Sequence, residues 1–329
     1  MKAAIYTQYG PPEVVSIKDI PKPMPGPKEV LVKVHASTVN RTDCGFRSAN
    51  YFISRFFSGL FRPKQQVLGC DFAGIVEQTG LEVSKYQVGD RIFGFNDSRF
   101  GGHAEYLIRA EDDAMTFIPE GMSFAEAAAI PEGGHYALGN ILAAKVQAGQ
   151  DVMVYGATGA IGSAAVQILK HFGANVTAVV NTKNKELIRS LGADRIIDYT
   201  TEDFSETEQR FEFIFDAVGK SSFGLCKELL KEKGRYISTE LGKNSENIWL
   251  ALMGSFHSGK KVLFPIPDTR KEDIEFLKEL AEKGEFKPII DREYVLDDIL
   301  QAYQYVESGQ KTGNVVLRIL SEDYTSSSV

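Results

Sequence analysis

From residue 151 onward the chain alternates short apolar runs with amphipathic stretches, and the first junction between them reads VYGATGAIGS, residues 154–163. An apolar run that passes through closely spaced glycines straight into a helical pattern is a strand–turn–helix unit. The order then repeats. DVMVYG reads as a strand, AIGSAAVQILKHFG as a helix closed by Gly173, and NVTAVV as a strand. KNKELIRSLG reads as a helix, and RIID, FEFIFDAVG and GRYIST as further strands. Strands alternating with helices pair in parallel, because each helix carries the chain back along the sheet. The expected architecture is therefore α/β, a doubly wound parallel sheet with helices on both faces.

The same turn narrows the chemistry. Gly156, Gly159 and Gly162 form G-x-x-G-x-x-G, one residue longer at the front than the usual dinucleotide fingerprint. Glycines let the backbone approach a pyrophosphate, and the helix start adds unpaired N–H groups and partial positive charge. Tight turns also use glycine for steric reasons alone. Here the strand before, the helix after and a second strand at the right distance make Gly156, Ala157, Thr158, Gly159, Ala160, Ile161 and Gly162 the expected cradle. NAD-specific sites place an acidic residue about 20 positions later, on the ribose hydroxyls. NVTAVV is followed instead by Asn181, Thr182 and Lys183. The first two can donate to a 2′-phosphate or cap the next helix, and Lys183 supplies a compact positive charge. NADPH is the expected cofactor.

Elsewhere the pattern differs. The first third is β-rich, with EVLVKVHAST, FAGIVEQTG and DRIFGF as strands. SFAEAAAIPEGGHYALGNIL reads as one helix with Ser123 as its N-cap. Beyond residue 262 come a capped amphipathic helix, EDIEFLKELAEKG, and a closing strand, GNVVLRIL. That strand has no sheet of its own nearby and is expected to return to the N-terminal region. At 329 residues the chain exceeds one core, and two domains are expected, 1–122 with 263–329 and 123–262. The tail SEDYTSSSV reads as disordered. A net charge of −7 disfavours nucleic acid as a partner, so any anion site must be built locally. No run approaches the roughly 18 apolar residues of a membrane span, and the opening MKAAIYTQYG lacks the apolar core of a secretion signal. Cys44, Cys70 and Cys226 form no Cys-x-x-Cys pair, which fits a reducing compartment. A cytoplasmic protein without stable membrane insertion is expected.

Nine segments, nearly end to end, carry a family pattern: GPPEVVSI, VNRTDCGFRS, VLGCDFAGIV, VGDRIFGF, GGHAEYL, YGATGAIGSAAVQILKHFGA, SLGADRIIDY, FDAVGK and TGNVVL. In this order the chain resembles the medium-chain dehydrogenase/reductase superfamily, in its zinc-independent quinone oxidoreductase-like branch. The resemblance implies a GroES-like β catalytic domain built from both chain ends, a central Rossmann domain and a homodimer. Zinc-dependent members place a cysteine where this chain has Asn40, and His-Glu where it has Cys70-Asp71. The four-cysteine lobe is also missing, since no cysteine lies between Cys70 and Cys226. No metal is therefore expected. Without zinc, alcohol oxidation lacks the ion that lowers a hydroxyl from about 16 to about 7. At 1.36 kcal/mol per unit that is about 12 kcal/mol. Hydride addition to a quinone or an α,β-unsaturated carbonyl needs far less help, so reduction is the expected direction.

By the same resemblance, Asn40, Asp43 and Tyr51 belong to the loop that faces the nicotinamide. Asn40 either donates to a developing oxyanion or braces the turn, Asp43 holds the loop, and Tyr51 donates or packs. Relatives commonly read GGLTAL where this chain reads GGHYAL, so Tyr136, beside His135, is the expected hydroxyl. Tyr199, Val218, Gly219 and Asn314 complete the cofactor set. The aromatic segment 50–64 reads as a substrate lid, a membrane-brushing loop or a packed loop. Another carbonyl substrate, or cofactor binding without turnover, stands as the alternative. A short-chain dehydrogenase is excluded, because no tyrosine has a lysine four residues later.

Overall fold

The structure, a computed structural model, describes residues 1–49, 55, 58–254 and 259–320. Tyr51, most of the aromatic segment's start and the tail after residue 320 lie outside the described residues. The chain forms two compact units: Met1–Glu132 with Thr269–Lys283 and Lys287–Val329, and Gly133–Asp268 with Gly284–Phe286. They divide after Glu132 and Asp268 rather than after residues 122 and 262.

The first unit begins with a hairpin-like pair, β1 (Lys2–Tyr6) and β2 (Val15–Asp19). Next come β3 (Glu29–Thr38), α1 (Arg41–Ser48), β4 (Asp71–Thr79), β5 (Arg91–Phe95), β6 (Tyr106–Ala110) and β7 (Met115–Phe117). β3 is central, pairing antiparallel with both β4 and β6. Its nearly continuous burial shows that both of its faces are covered, where a strand with one solvated face would alternate in and out.

The stretch expected as one helix is two, α2 (Phe124–Ala128) and α3 (Pro131–Ala144). Ser123 does cap the first, accepting from the Glu126 N–H at 3.2 Å while Glu126 accepts from the Ser123 N–H at 3.0 Å. The break falls before Pro131, whose ring disfavours a helical residue ahead of it and which suits a first helical turn. α2 packs on β3 and β4, and so belongs to the first unit.

The second unit follows the expected alternation: β8 (Asp151–Tyr155), α4 (Ala160–His171), β9 (Asn175–Val180), α5 (Lys185–Ser190), β10 (Arg195–Asp198) and β11 (Phe211–Asp216). Then come α6 (Phe223–Cys226), β12 (Leu230–Ser238), α7 (Glu246–Gly254) and β13 (Lys261–Val262). The strand order is β10-β9-β8-β11-β12-β13 and every pairing is parallel. Its core includes Met153, Val179, Ile214, Leu230 and Tyr236.

The chain then returns to the first unit with α8 (Lys271–Glu282), β14 (Ile290–Val295), α9 (Ile299–Glu307) and β15 (Asn314–Arg318). The start of α8 at Arg270 lacks the side-chain cap that the sequence suggested. β15 lies antiparallel to β3, with Val316 opposite Thr38, so the closing strand completes the N-terminal sheet. The fold is a GroES-like sheet unit together with a Rossmann-like parallel sheet unit.

Candidate active site

One polar cluster occupies the end of β3 in the first unit. Thr38 ends β3, Asn40 precedes α1, and Asp71 opens β4. The Asn40 side-chain Nδ2 donates to Thr38 Oγ1 at 2.7 Å and to Asp71 Oδ2 at 2.8 Å. The Thr38 hydroxyl also donates to Asp71 Oδ2. The other Asp71 oxygen accepts from the Glu132 backbone N–H at 3.0 Å. Asp43 braces the loop: its carboxylate accepts from the backbone N–H groups of Asn40 and Gly69, each at 2.9 Å, and from the Cys70 thiol at 3.6 Å. Asn40, Asp43 and Cys70 are each fully buried. His103 is buried too, and its Nε2 donates to the Thr38 carbonyl at 2.8 Å, since a carbonyl can only accept.

Both amide hydrogens of Asn40 thus point inward, to Thr38 and Asp71, while its Oδ1 is buried without a partner. Asn314 opens β15 close by, where the Val39 N–H donates to the Val315 carbonyl at 2.9 Å. It is buried, donates through Nδ2 to the Ile289 carbonyl at 3.1 Å, and also leaves its Oδ1 without a partner. Both oxygens lie near where β3 meets β15, and a donor placed there would relieve their desolvation penalty.

Charge in this cluster is managed by burial. Burial, reinforced by the Glu132 carboxylate, pushes the Asp71 carboxyl well up, against the hydrogen bonds from Thr38 and Asn40. Burial also pushes the Cys70 thiol well up, with Asp43 and Asp71 adding to the effect. Thr42 donates to Glu132 Oε1 at 2.9 Å. Lys311 donates to the Gly313 carbonyl at 2.7 Å; burial lowers its ammonium while Glu132 pulls the other way. The roles of Asp71 and Glu132 have no local sequence signal, because their partners lie 31 to 90 positions away, whereas Thr38 stands two positions from Asn40.

The second unit carries the glycine turn. Gly156 has φ +76°, a left-handed conformation, and a Cβ there would lie 2.5 Å from Val218 Cγ2. A Cβ on Gly162 would lie 2.2 Å from the Gly156 carbonyl oxygen. Gly159, at the start of α4, has no neighbour nearer than 3.9 Å. Two glycines are therefore fixed by close approach, and the third borders open space at the start of a 12-residue helix. That is the shape a pyrophosphate cradle needs, with the first N–H groups of α4 lacking intrahelical partners. Ala157 and Ala160 are buried, whereas Thr158 and Ile161 are half-buried.

Val218 and Gly219 follow β11, and the loop there is held by Asp216. That carboxylate accepts from the backbone N–H groups of Val218 at 3.2 Å and Ser221 at 2.8 Å, and from the Tyr236 hydroxyl at 3.2 Å. His135 and Tyr136 sit in α3 with rings 5.3 Å apart, the histidine buried and the tyrosine half-buried. After β9, Thr182 and Lys183 are exposed, Asn181 is half-buried, and Tyr199 is 52% exposed. The Thr182 hydroxyl donates to Asp198 Oδ2 at 2.7 Å. It is therefore not free to donate to a phosphate. The carboxylate beside this segment is Asp198 at the end of β10, buried and committed to Thr182 and Thr200.

Among the described residues, no group of three or more His, Cys, Asp or Glu side chains could hold a metal ion. No helix among them is long and apolar enough to cross a membrane.

Residues 26–140 match the family model of the alcohol dehydrogenase GroES-like domain, and residues 191–317 match that of the zinc-binding dehydrogenases. The 2-methylene-furan-3-one reductase of Solanum lycopersicum is 30% identical over 329 residues, covering 96% of this chain and 79% of that protein. The chloroplastic NADPH-dependent alkenal/one oxidoreductase of Arabidopsis thaliana is 29% identical, with 96% and 79% covered. Among solved structures, the quinone oxidoreductase of Coxiella burnetii superposes with a TM-score of 0.86 at 26% identity, covering 97% of this chain and 99% of that one. Both units and both ends of the sequence share in these matches: the chain is an oxidoreductase and belongs to the medium-chain dehydrogenase/reductase superfamily, in its quinone oxidoreductase-like branch.

Proposed function

We propose that the protein is an NADPH-dependent reductase that delivers hydride to a quinone or an α,β-unsaturated carbonyl without zinc. One observation carries this reading. Where zinc-dependent relatives keep metal ligands, Asn40, Cys70 and Asp71 are tied to their neighbours by hydrogen bonds, and burial keeps the thiol protonated. A buried thiol and a carboxamide are poor zinc donors beside thiolate and imidazole. A substrate that is already electron-poor suits such a site.

The bound nicotinamide supplies the hydride. The glycine turn from Gly156 to Gly162, with Val218 and Gly219, is suited to hold the pyrophosphate and the adjacent ribose. Asn40 and Asn314 offer the two unpartnered acceptors, which amide hydrogens of a ligand can satisfy. Asp43 keeps the Asn40 loop in place. Stabilising negative charge on the substrate oxygen falls to Tyr136 and Tyr51 as hydroxyl donors, and to Asn40 when one of its hydrogens is released from Thr38 or Asp71. Preference for NADPH rests on Lys183 and Tyr199 near the adenosine end, with Asn181 as a further donor and Thr182 as a brace. We expect NADPH to bind at least tenfold tighter than NADH, about 1.4 kcal/mol.

A homodimer through the edge strand β13 belongs to the same reading, in a cytoplasmic protein. Trp249, Leu252 and Met253 on α7 are each more than half exposed, as is Ile266 beyond β13, an apolar surface of the kind that pairing covers. The deciding experiment follows NADPH oxidation with a panel of quinones and enones, beside elemental analysis for zinc. Turnover with these acceptors and no bound metal is the expected result. Alcohol oxidation that depends on about one zinc per chain would overturn the proposal.

A further inference from the structure

We propose that Asp198 sets how strongly the protein prefers a 2′-phosphorylated dinucleotide, by tying up the donors that the phosphate would otherwise take. The inference rests on the dinucleotide-binding reading above and concerns side chains of the second unit only. Asp198 ends β10, in parallel register opposite Val180 at the end of β9. Its carboxylate therefore lies beside the segment that follows β9, where parallel nucleotide-binding sheets meet the adenosine ribose.

The contacts are close. Oδ2 accepts from the Thr182 hydroxyl at 2.7 Å and lies 3.5 Å from the Lys185 ammonium. Oδ1 accepts from the Thr200 hydroxyl at 2.6 Å and the Thr200 backbone N–H at 3.1 Å. Thr182 and Thr200 also approach each other at 2.8 Å. Three oxygen–oxygen contacts thus share two hydroxyl hydrogens. No hydrogen is left to point outward, and the residue is only 2% exposed, so the carboxylate cannot take ribose hydroxyls itself. The Thr200 hydroxyl and the other donors hold its carboxyl at about 2, ionised at any working pH. A 2′-phosphate, carrying a charge of about −1.5 to −2, would therefore meet fixed negative charge, committed hydroxyls and a half-neutralised Lys185. Lys183 opposes this as an exposed cation. The carboxylate moderates a preference that Lys183 creates.

Replacing Asp198 by asparagine removes the charge, and its amide can donate to one threonine oxygen, turning a hydroxyl hydrogen outward. With NADPH and NADH titrated by cofactor fluorescence, Asp198→Asn should tighten NADPH about fivefold and leave NADH within about twofold. The gain should shrink with added salt, which a purely structural change would not produce. Weakening of both cofactors together, or a narrower ratio, would overturn the proposal. Lys185→Met provides a test that does not depend on that variant's folding. With Asp198 in place it should cost NADPH less than about twofold, and a tenfold loss would show that Lys185 is not held down. Equal affinities in the unmodified protein, with the ratio still widening in Asp198→Asn, would sink the NADPH preference but leave the role of Asp198 standing. Binding of neither cofactor would sink both.

Discussion

The polar clusters of the two units are built in opposite ways. At the end of β3, the polar groups are buried side chains that bind one another: Asn40 on Thr38 and Asp71, Asp43 on Gly69 and Cys70, His103 on the Thr38 carbonyl. At the end of β8, what is fixed is backbone shape, with Gly156 and Gly162 set by close approach and the charged groups left at the surface. A buried network resists change until one member is lost, and then its partners remain desolvated and unpaired. A backbone cradle fails only where a side chain intrudes. The first arrangement depends on protonation, the second on volume.

The sharpest way to break this contrast is Gly162→Ala. Its methyl would fall 2.2 Å from the Gly156 carbonyl oxygen, and backbone cannot yield cheaply. We expect about 4 kcal/mol of lost stability and loss of dinucleotide binding. Gly159→Ala, with nothing nearer than 3.9 Å, should keep its fold. Equal melting temperatures for the two variants would show that the turn is not sterically set.

Acid should discriminate between the units next. His35 is buried on β3, stacked on Phe124 at 4.3 Å, and burial lowers its pKa to about 4 from 6.5. The unfolded chain takes up the proton first, so this stabilisation is complete above about 6.5 and is lost as pH falls toward 4. At most it is worth about 3 kcal/mol. His35→Phe should flatten that part of the stability–pH curve measured by denaturant melts. An unaltered slope would place the acid sensitivity elsewhere.

Asn40→Ala should lower turnover about 100-fold, about 2.7 kcal/mol, while NADPH affinity stays within a few-fold. Unchanged turnover would make Asn40 a brace only. Smallest is Lys183→Ala, which should cost NADPH about tenfold, about 1.4 kcal/mol, and leave NADH unaffected. If NADH weakened equally, the exposed lysine would be serving the cofactor as a whole and not its 2′-phosphate.

Much of the backbone end was legible in the sequence, because a tight turn between a strand and a helix admits few residue types and they stand next to one another. β3, β8, α4 and β9 fall where periodicity and glycine placed them. The break before Pro131 was equally readable, since proline disfavours a helical predecessor, yet the apolar spacing on either side suggested one continuous helix. The side-chain end was hidden for a different reason. Asp71 and Asn40 meet only because β4 pairs with β3, and Asp198 reaches Thr182 only because β10 lies beside β9. Nothing local in either segment announces its partner. An acidic residue absent from the end of one strand can be present in space from the next.

The pairing of β15 with β3 also dictates an order of assembly. All six strands of the parallel sheet lie between Asp151 and Val262, so that sheet can form as soon as this middle stretch has been synthesised. The other sheet starts far earlier in the chain, but β3 waits for Val316 to settle opposite Thr38, a contact spanning almost the whole chain. Closing so long a loop is slow, and until it closes the end of the central strand beyond its pairing with β6 offers unpaired backbone groups to any passing strand. The half that emerges first from the ribosome is thus the half that finishes last. During that interval the buried carboxyl of Asp71 and the amide of Asn40 belong to an incomplete sheet, and the nascent chain is most exposed to misassembly at the end where its polar network will later form.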